Sequence, residues 1–341
     1  MRRHPVTCRP VPARSLIPPV VSVVMRRDLL RGCIPAALAL AALTTHGVAG
    51  GQRARGPSAP IPVQGTLTLE DYAPSGIGGH ALGVVELQLP AGRKFRVLDG
   101  AHPWRHPNGS ITFTQGCGGS GENRVALSRE GLITPVSPCS STIPNPDQGF
   151  GYFPPHFEAS HLSPDGRHVA AELVRTTGRG GYAYATLVYD LAGHLERTFT
   201  NTYAPAWLPD GRLVLAGVGL RITDRALSSV TRLDRGQLTA WVNNPAPDPR
   251  GERIAFEYNQ QIWVLDVATG AARELVRGDK YLRYPVFSPD GQTVAYLALE
   301  SLDRNASTVY FNNLVTHAAY ALPYPAASVT DAPNGPLSWT R

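Results

Sequence analysis

The chain has 341 residues, including 34 Gly and 31 Pro, and a formal net charge of +6. The Gly and Pro fall between short Val, Ile, Leu and Tyr runs rather than in one block, which reads as the turns of an all-β protein and argues against disorder. The first 49 residues hold seven Arg and one Asp, so residues 50–341, with 25 basic and 25 acidic groups, are formally neutral; a phosphate-binding surface loses its main support and no nucleic-acid partner is expected.

Residues 1–49 read as an export signal. Met25-Arg26-Arg27-Asp28-Leu29-Leu30-Arg31 is a charged segment leading into the apolar run Ile34–Leu43, too short to span a bilayer and of the length of a secretory core. Gly47-Val48-Ala49 supplies small residues for cleavage before Gly50, and Met25 is an alternative start. The Arg pair resembles the twin-arginine export motif, with general secretion as the other route. Cys33 raises a lipoprotein, but the apolar run follows it instead of leading into it. Residues 50–64, rich in Gly, Pro and Arg, read as a tether. The mature chain is expected to lack a transmembrane segment and to reside in the periplasm or outside the cell. Its two cysteines, Cys117 and Cys139, are expected to form a disulfide in that oxidising compartment; two isolated Cys are too few for a metal site.

From residue 65 onward one phrase recurs. Its fullest form is Phe287-Ser288-Pro289-Asp290-Gly291, followed by the alternating strand Thr293-Val294-Ala295-Tyr296. Ser accepts hydrogen bonds at the first corner, Pro presets φ, and Gly takes the positive φ that closes a hairpin. His106–Gly109, Ser163–Gly166, Leu208–Gly211 and Asp248–Gly251 repeat it. A second strand pair follows each phrase, best seen in Ile262–Asp266, a turn at Gly270, and Ala271–Val276. Each unit is therefore four strands at the spacing of propeller blades. Two fragments remain: Val84–Leu98, with Thr66–Leu69 as a further strand, and Pro336–Thr340. Joined, they complete a sixth blade and abolish open edges; five or seven blades are the alternatives if Thr66–Leu69 pairs elsewhere. Trp339 is expected to pack between blades. The fold class is thus all-β, a six-bladed β-propeller of four-stranded blades over 65–341, closed by pairing its N-terminal and C-terminal strands.

These residues resemble the TolB-type β-propeller, whose repeats carry Phe-Ser-Pro-Asp-Gly, a strand such as Ile254-Ala255-Phe256, and an Ile-Trp-Val-X-Asp segment ending in a Gly turn. Arg250 replaces the usual Asp in one turn and Leu208 the usual Ser in another. The resemblance implies the fold and says little of function. TolB carries an additional domain before its propeller; a signal and tether stand in that place here.

No catalytic motif is found. Related propellers precede the hydrolase domain of prolyl oligopeptidases, but no Gly-X-Ser-X-Gly elbow occurs, and Gly118-Gly119-Ser120-Gly121 reads as a loop. His102, His106, His156, His161 and His317 are too scattered to form the ligand set of a lyase, so no metal and no cofactor are expected. Asp165, Asp210 and Asp290 occupy equivalent corners and read as turn formers. Asn108 and Asn305 begin Asn-X-Ser triplets that mean little in a bacterial cell.

The segments entering the first strand of each blade are aromatic and Pro-rich: Gly149–Phe157, Tyr203–Pro205, Tyr281–Pro285 and Leu322–Pro325. In a propeller they converge on one face around the channel. Tyr152, His156, Tyr203, Arg283, Tyr284 and Tyr324 are therefore the candidate binding residues, for an extended peptide or protein partner of the cell envelope. Rings that only fill gaps between blades are the competing reading. The function expected is a monomeric, non-catalytic binding or scaffold module, with a lyase or hydrolase at the channel mouth as the alternative.

Overall fold

A computed structural model describes residues 63–74, 80–91, 93–118, 121–143, 154–177, 181–299, 307–322 and 333–341. The export signal, most of the tether, Tyr152, Tyr324 and Ser120 lie outside the described residues.

Three strands, β1 (Gly65–Pro74), β2 (His80–Leu89) and β3 (Arg93–Asp99), begin the first sheet. Blade 2 is β4 (Ala101–Arg105), β5 (Ile111–Gly116), β6 (Asn123–Arg129) and β7 (Leu132–Pro135). Blade 3 is β8 (His156–Leu162), β9 (His168–Thr176), β10 (Tyr182–Asp190) and β11 (Leu195–Thr200). Blade 4 is β12 (Tyr203–Trp207), β13 (Leu213–Gly217), β14 (Gly219–Thr223) and β15 (Val230–Arg232). Blade 5 is β16 (Val242–Pro247), β17 (Arg253–Tyr258), β18 (Gln261–Asp266) and β19 (Ala272–Val276). Blade 6 is β20 (Tyr281–Phe287), β21 (Thr293–Leu299), β22 (Ser307–Asn313) and β23 (Ala319–Leu322). The last strand, β24 (Pro333–Thr340), returns to the first sheet in the order β24-β1-β2-β3, with Leu67 opposite Trp339. All six sheets are antiparallel and four-stranded, so the blade count and the closure read from the repeats are those of the structure.

The recurring phrase makes the turn between the first and second strands of a blade. At Ser288–Gly291 the Gly291 N–H donates to the Ser288 carbonyl at 2.8 Å, Ser288 Oγ accepts from the Thr293 N–H at 2.9 Å, and Gly291 sits at φ 72. A Cβ there would be left-handed and 3.2 Å from an Arg253 guanidinium nitrogen, so glycine is required. In blade 5 Asp248 stands at the Ser position. Its buried carboxylate accepts from the Glu252 N–H at 2.8 Å and Arg253 Nε at 2.9 Å, making up for Arg250 in place of Asp.

The core lies between blades. Leu67, Leu87, Val309 and Phe311 form one continuous apolar cluster across the closing seam. Trp339 packs edge-on to Phe311 of blade 6, centroids 5.4 Å apart, and its Nε1–H donates to the Gln64 carbonyl at 3.0 Å. Val63 joins the same cluster, so the propeller begins within the last residues assigned to the tether. Cys117 and Cys139 form a disulfide that ties the end of β5 to the segment after β7. Among the described residues no helix is long and apolar enough to cross a membrane.

Candidate functional site at the channel mouth

Seven residues before the turn glycine of four blades, the inner strand carries a bulge. His102, Ala204, Asn244 and Tyr284 take φ 48, 40, 46 and 52, and strand register shifts at each. A proline follows every one: Pro103, Pro205, Pro245 and Pro285. Proline is tolerated because the inner strand is the sheet edge facing the channel and its missing N–H removes no ladder bond. A non-glycine residue at positive φ costs of order 1 kcal/mol or more and persists only where the surroundings hold it.

Three glutamates from second strands hold three of these four bulges by their backbone N–H groups. Glu70 of β1 accepts from the His102 N–H at 2.7 Å, Glu172 of β9 from the Ala204 N–H at 3.0 Å, and Glu257 of β17 from the Tyr284 N–H at 2.7 Å. Each acid sits in an odd-numbered blade and grips the bulge of the next, so the ring has a threefold alternation within its sixfold repeat. Glu257 also accepts from Asn244 Nδ2 at 2.6 Å and lies 3.9 Å from Arg283 Nε.

Burial weakens the acidity of Glu172 and Glu257. Glu172 is pushed up to about 8, by burial first and then by the negative charge of Glu158, against the opposing Ala204 N–H. Glu257 is also raised by burial, opposed by Arg283 and its two hydrogen-bond donors. Glu158, on β8, is held below the usual range by its hydrogen bond to His156 Nε2 at 3.3 Å, and the same bond raises His156. An ionised and a neutral carboxyl thus face one another near neutral pH.

These elements enclose a cavity of about 540 Å³ at the mouth, to which His102, Glu158, Glu172, Arg283 and Tyr284 contribute. Four further rings line one side. Tyr182 and Tyr184 lie 6.4 Å apart, Tyr184 and Tyr203 5.3 Å, Tyr203 and Trp241 5.2 Å, and Tyr184 and Trp241 6.2 Å. Tyr203 is 6% exposed, whereas Tyr182 and Trp241 are 55% and 51% exposed. Across the mouth, the Arg283 guanidinium lies over the Tyr284 ring at 5.2 Å. Below, inner strands of all six blades narrow the channel to a void of about 20 Å³ bounded by Trp104, His161, Pro205, Ala246, Pro285 and Leu337. That is room for about one water.

Of the residues expected from sequence, the structure brings Tyr203, Arg283 and Tyr284 to this cavity and sets His156 beside it through Glu158. Tyr152 and Tyr324 lie outside the described residues. His102 reaches the mouth, but His106 and His161 are buried between blades 2 and 3. The Leu162 N–H donates to His106 Nε2 at 3.2 Å and His161 stacks on Trp104 at 4.1 Å, and burial depresses both, His161 to about 3. His317 is in the turn between β22 and β23. Among the described residues no three His, Cys, Asp or Glu side chains are grouped to hold a metal ion. Asp165 and Asp290 bond within their turns, as expected of turn formers.

Sequence reasoning missed Glu158, Glu172, Tyr182, Tyr184 and Trp241. A signal existed for one: Glu172 and Glu257 both fall six residues after their turn glycines, Gly166 and Gly251.

The fold and cavity define a closed six-bladed β-propeller with an aromatic and acidic channel mouth. The architecture is TolB-like. It is similar to TolB from Acinetobacter baumannii (TM-score 0.59, 16% identity, covering 81% of this chain and 67% of that one) and to a putative TolB from Agrobacterium tumefaciens (0.50, 17%, 76% and 89%). It is also similar to the hydrazine synthase of Kuenenia stuttgartiensis (0.55, 10%, 78% of this chain and 46% of that one). At these identities the likeness is one of fold. Comparison with protein-family models gives no match, and comparison with curated protein sequences gives none.

Proposed function

We propose that the protein is an exported, non-catalytic propeller that captures an extended segment of a protein partner of the bacterial cell envelope at its channel mouth. The observation that carries this reading is the cavity of about 540 Å³ lined by Tyr203, Tyr284, Arg283 and the exposed rings of Tyr182 and Trp241. It is large enough for two or three side chains and too small for a folded domain, and half-exposed aromatics beside an Arg are the residues that anchor interfaces. The TolB-like fold supports a binding role, and the Cys117–Cys139 disulfide suits an oxidising compartment. The test is selection of displayed random heptapeptides on the folded protein, followed by titration against Tyr182→Ala and Arg283→Ala. Selected peptides should lose at least tenfold in affinity for either variant at unchanged melting temperature. Peptides that bind both variants as well as the parent would refute the mouth as the site.

A second reading has its own observation. Glu158 and Glu172, shifted in opposite directions within one cavity, have the form of an acid and base pair. Prolonged incubation of a selected peptide with the protein separates the two readings: the peptide recovered intact supports capture, and cleavage abolished by Glu158→Gln supports an enzyme.

A further inference from the structure

We propose that the corner of the mouth formed by Tyr184, Tyr203, Trp241, Glu158 and Glu172 is a cation subsite that takes an Arg or Lys side chain of the captured segment. The inference rests on the peptide-capture reading above and names what that pocket selects.

Three observations converge on it. First, the rings come from three blades, β10, β12 and the residue before β16, and meet with centroids 5.2–6.2 Å apart. Their planes are inclined by 35–58°, which makes an angular surface rather than the flat platform on which a sugar ring stacks. The negative faces of Trp and Tyr attract cations, Trp most strongly. Second, two carboxyls, Glu158 and Glu172, line the same cavity as the rings. Glu158 is held ionised, first by its hydrogen bond to His156 and then by the charges of His102 and Arg283. Anions are repelled from such a corner. The mouth's own guanidinium, Arg283, lies over Tyr284 and near Glu257 on blades 5 and 6, and its charge also reaches Glu158. Third, Tyr203 lines the cavity, and its buried hydroxyl has no hydrogen-bond partner among the described residues. A buried hydroxyl left unpaired is costly, and an occupant whose N–H reached it would remove that cost.

Glu172 adds a signature of its own. It faces Glu158 from β8, Tyr184 from β10, and Tyr203 and the Ala204 N–H from β12. Burial keeps its proton on near neutral pH. A cation seated beside it favours the carboxylate, so binding should expel that proton and tighten as pH rises.

The experiment titrates the folded protein with acetyl-Gly-Ser-X-Ser-Gly-amide, X being Arg, Lys, Leu or Glu, and with tetramethylammonium chloride and cellohexaose. Calorimetry and Trp fluorescence serve as readouts. The Arg and Lys peptides should bind about tenfold tighter than the Leu and Glu peptides, the size of a partly desolvated cation–π contact with a charge partner. Trp241→Leu should remove that preference, Trp241→Phe should retain part of it, and circular dichroism should match the parent because the ring is half exposed. Between pH 6 and pH 8.5 the Arg peptide should tighten severalfold with the parent and by clearly less with Glu172→Gln, in which the His156–Glu158 pair still titrates. Equal affinity for all four peptides overturns the cation subsite and leaves peptide capture standing; no binding of any peptide overturns peptide capture itself. Saturation by tetramethylammonium that no peptide displaces overturns the peptide as the source of the cation. Cellohexaose binding more tightly than the Arg peptide overturns the choice of a cation over a sugar.

Discussion

Glu172→Gln should make the protein more stable, and increasingly so as pH rises. The carboxyl titrates near its ordinary value of 4.5 in the unfolded chain and at about 8 in the folded one. Between those values the unfolded state binds fewer protons than the folded state, so the contribution is fully present below pH 4.5 and lost as pH climbs through 8. At about 1.4 kcal/mol per pK unit, roughly 3 kcal/mol is gone by pH 7 and roughly 5 by pH 9. Glutamine keeps an oxygen for the Ala204 N–H but cannot ionise, so its stability lacks this slope. His106 and His161, held neutral by burial, impose the opposite slope below pH 6.5 on both proteins and cancel in the difference. Urea unfolding of the parent and Glu172→Gln at pH 5, 6, 7 and 8 measures that difference. It should grow by about 1 kcal/mol per pH unit; a difference independent of pH would show that Glu172 is ionised at neutral pH and that the burial argument fails.

Two further perturbations probe the scaffold. Trp339→Ala removes the edge contact with Phe311 and the bond to Gln64 at the closing seam, and should cost about 3–5 kcal/mol, read as a fall in melting temperature; a shift of only a degree or two would show that the seam does not depend on that ring. Cys117→Ser with Cys139→Ser opens a loop spanning a sequence separation of 22, worth about 3 kcal/mol in the chain-entropy account. The midpoint in urea should fall and the slope, which tracks exposed surface, should rise as the unfolded chain is freed to expand.

The blades were legible because a hairpin turn is local chemistry: only glycine sits easily at the φ of Gly291, and only a short polar side chain such as Ser288 or Asp248 bonds back two to five residues along. Tyr203, Arg283 and Tyr284 were legible for a related reason. They occupy the entry to an inner strand, and all such entries meet at the channel. The glutamates were present in the pattern, six residues after two turn glycines, yet a lone Glu in a strand reads as a solvent-facing residue. Its burial is decided by the bulge of the next blade, more than 25 residues away, which no local period reveals. Trp241 had no signal at all, since it ends the connection after β15, where apolar residues follow neither helical nor strand spacing.

The seam between β1 and β24 also sets an order in time. Thr66 pairs with Thr340, so the second strand of the first blade is synthesised long before the strand that covers it. Until then β1 offers a bare ladder of N–H and C=O groups, an invitation to pair with another chain. Folding to the closed ring must wait for the final eight-residue strand, and this places the burden of preventing misassembly on whatever accompanies the unfinished chain.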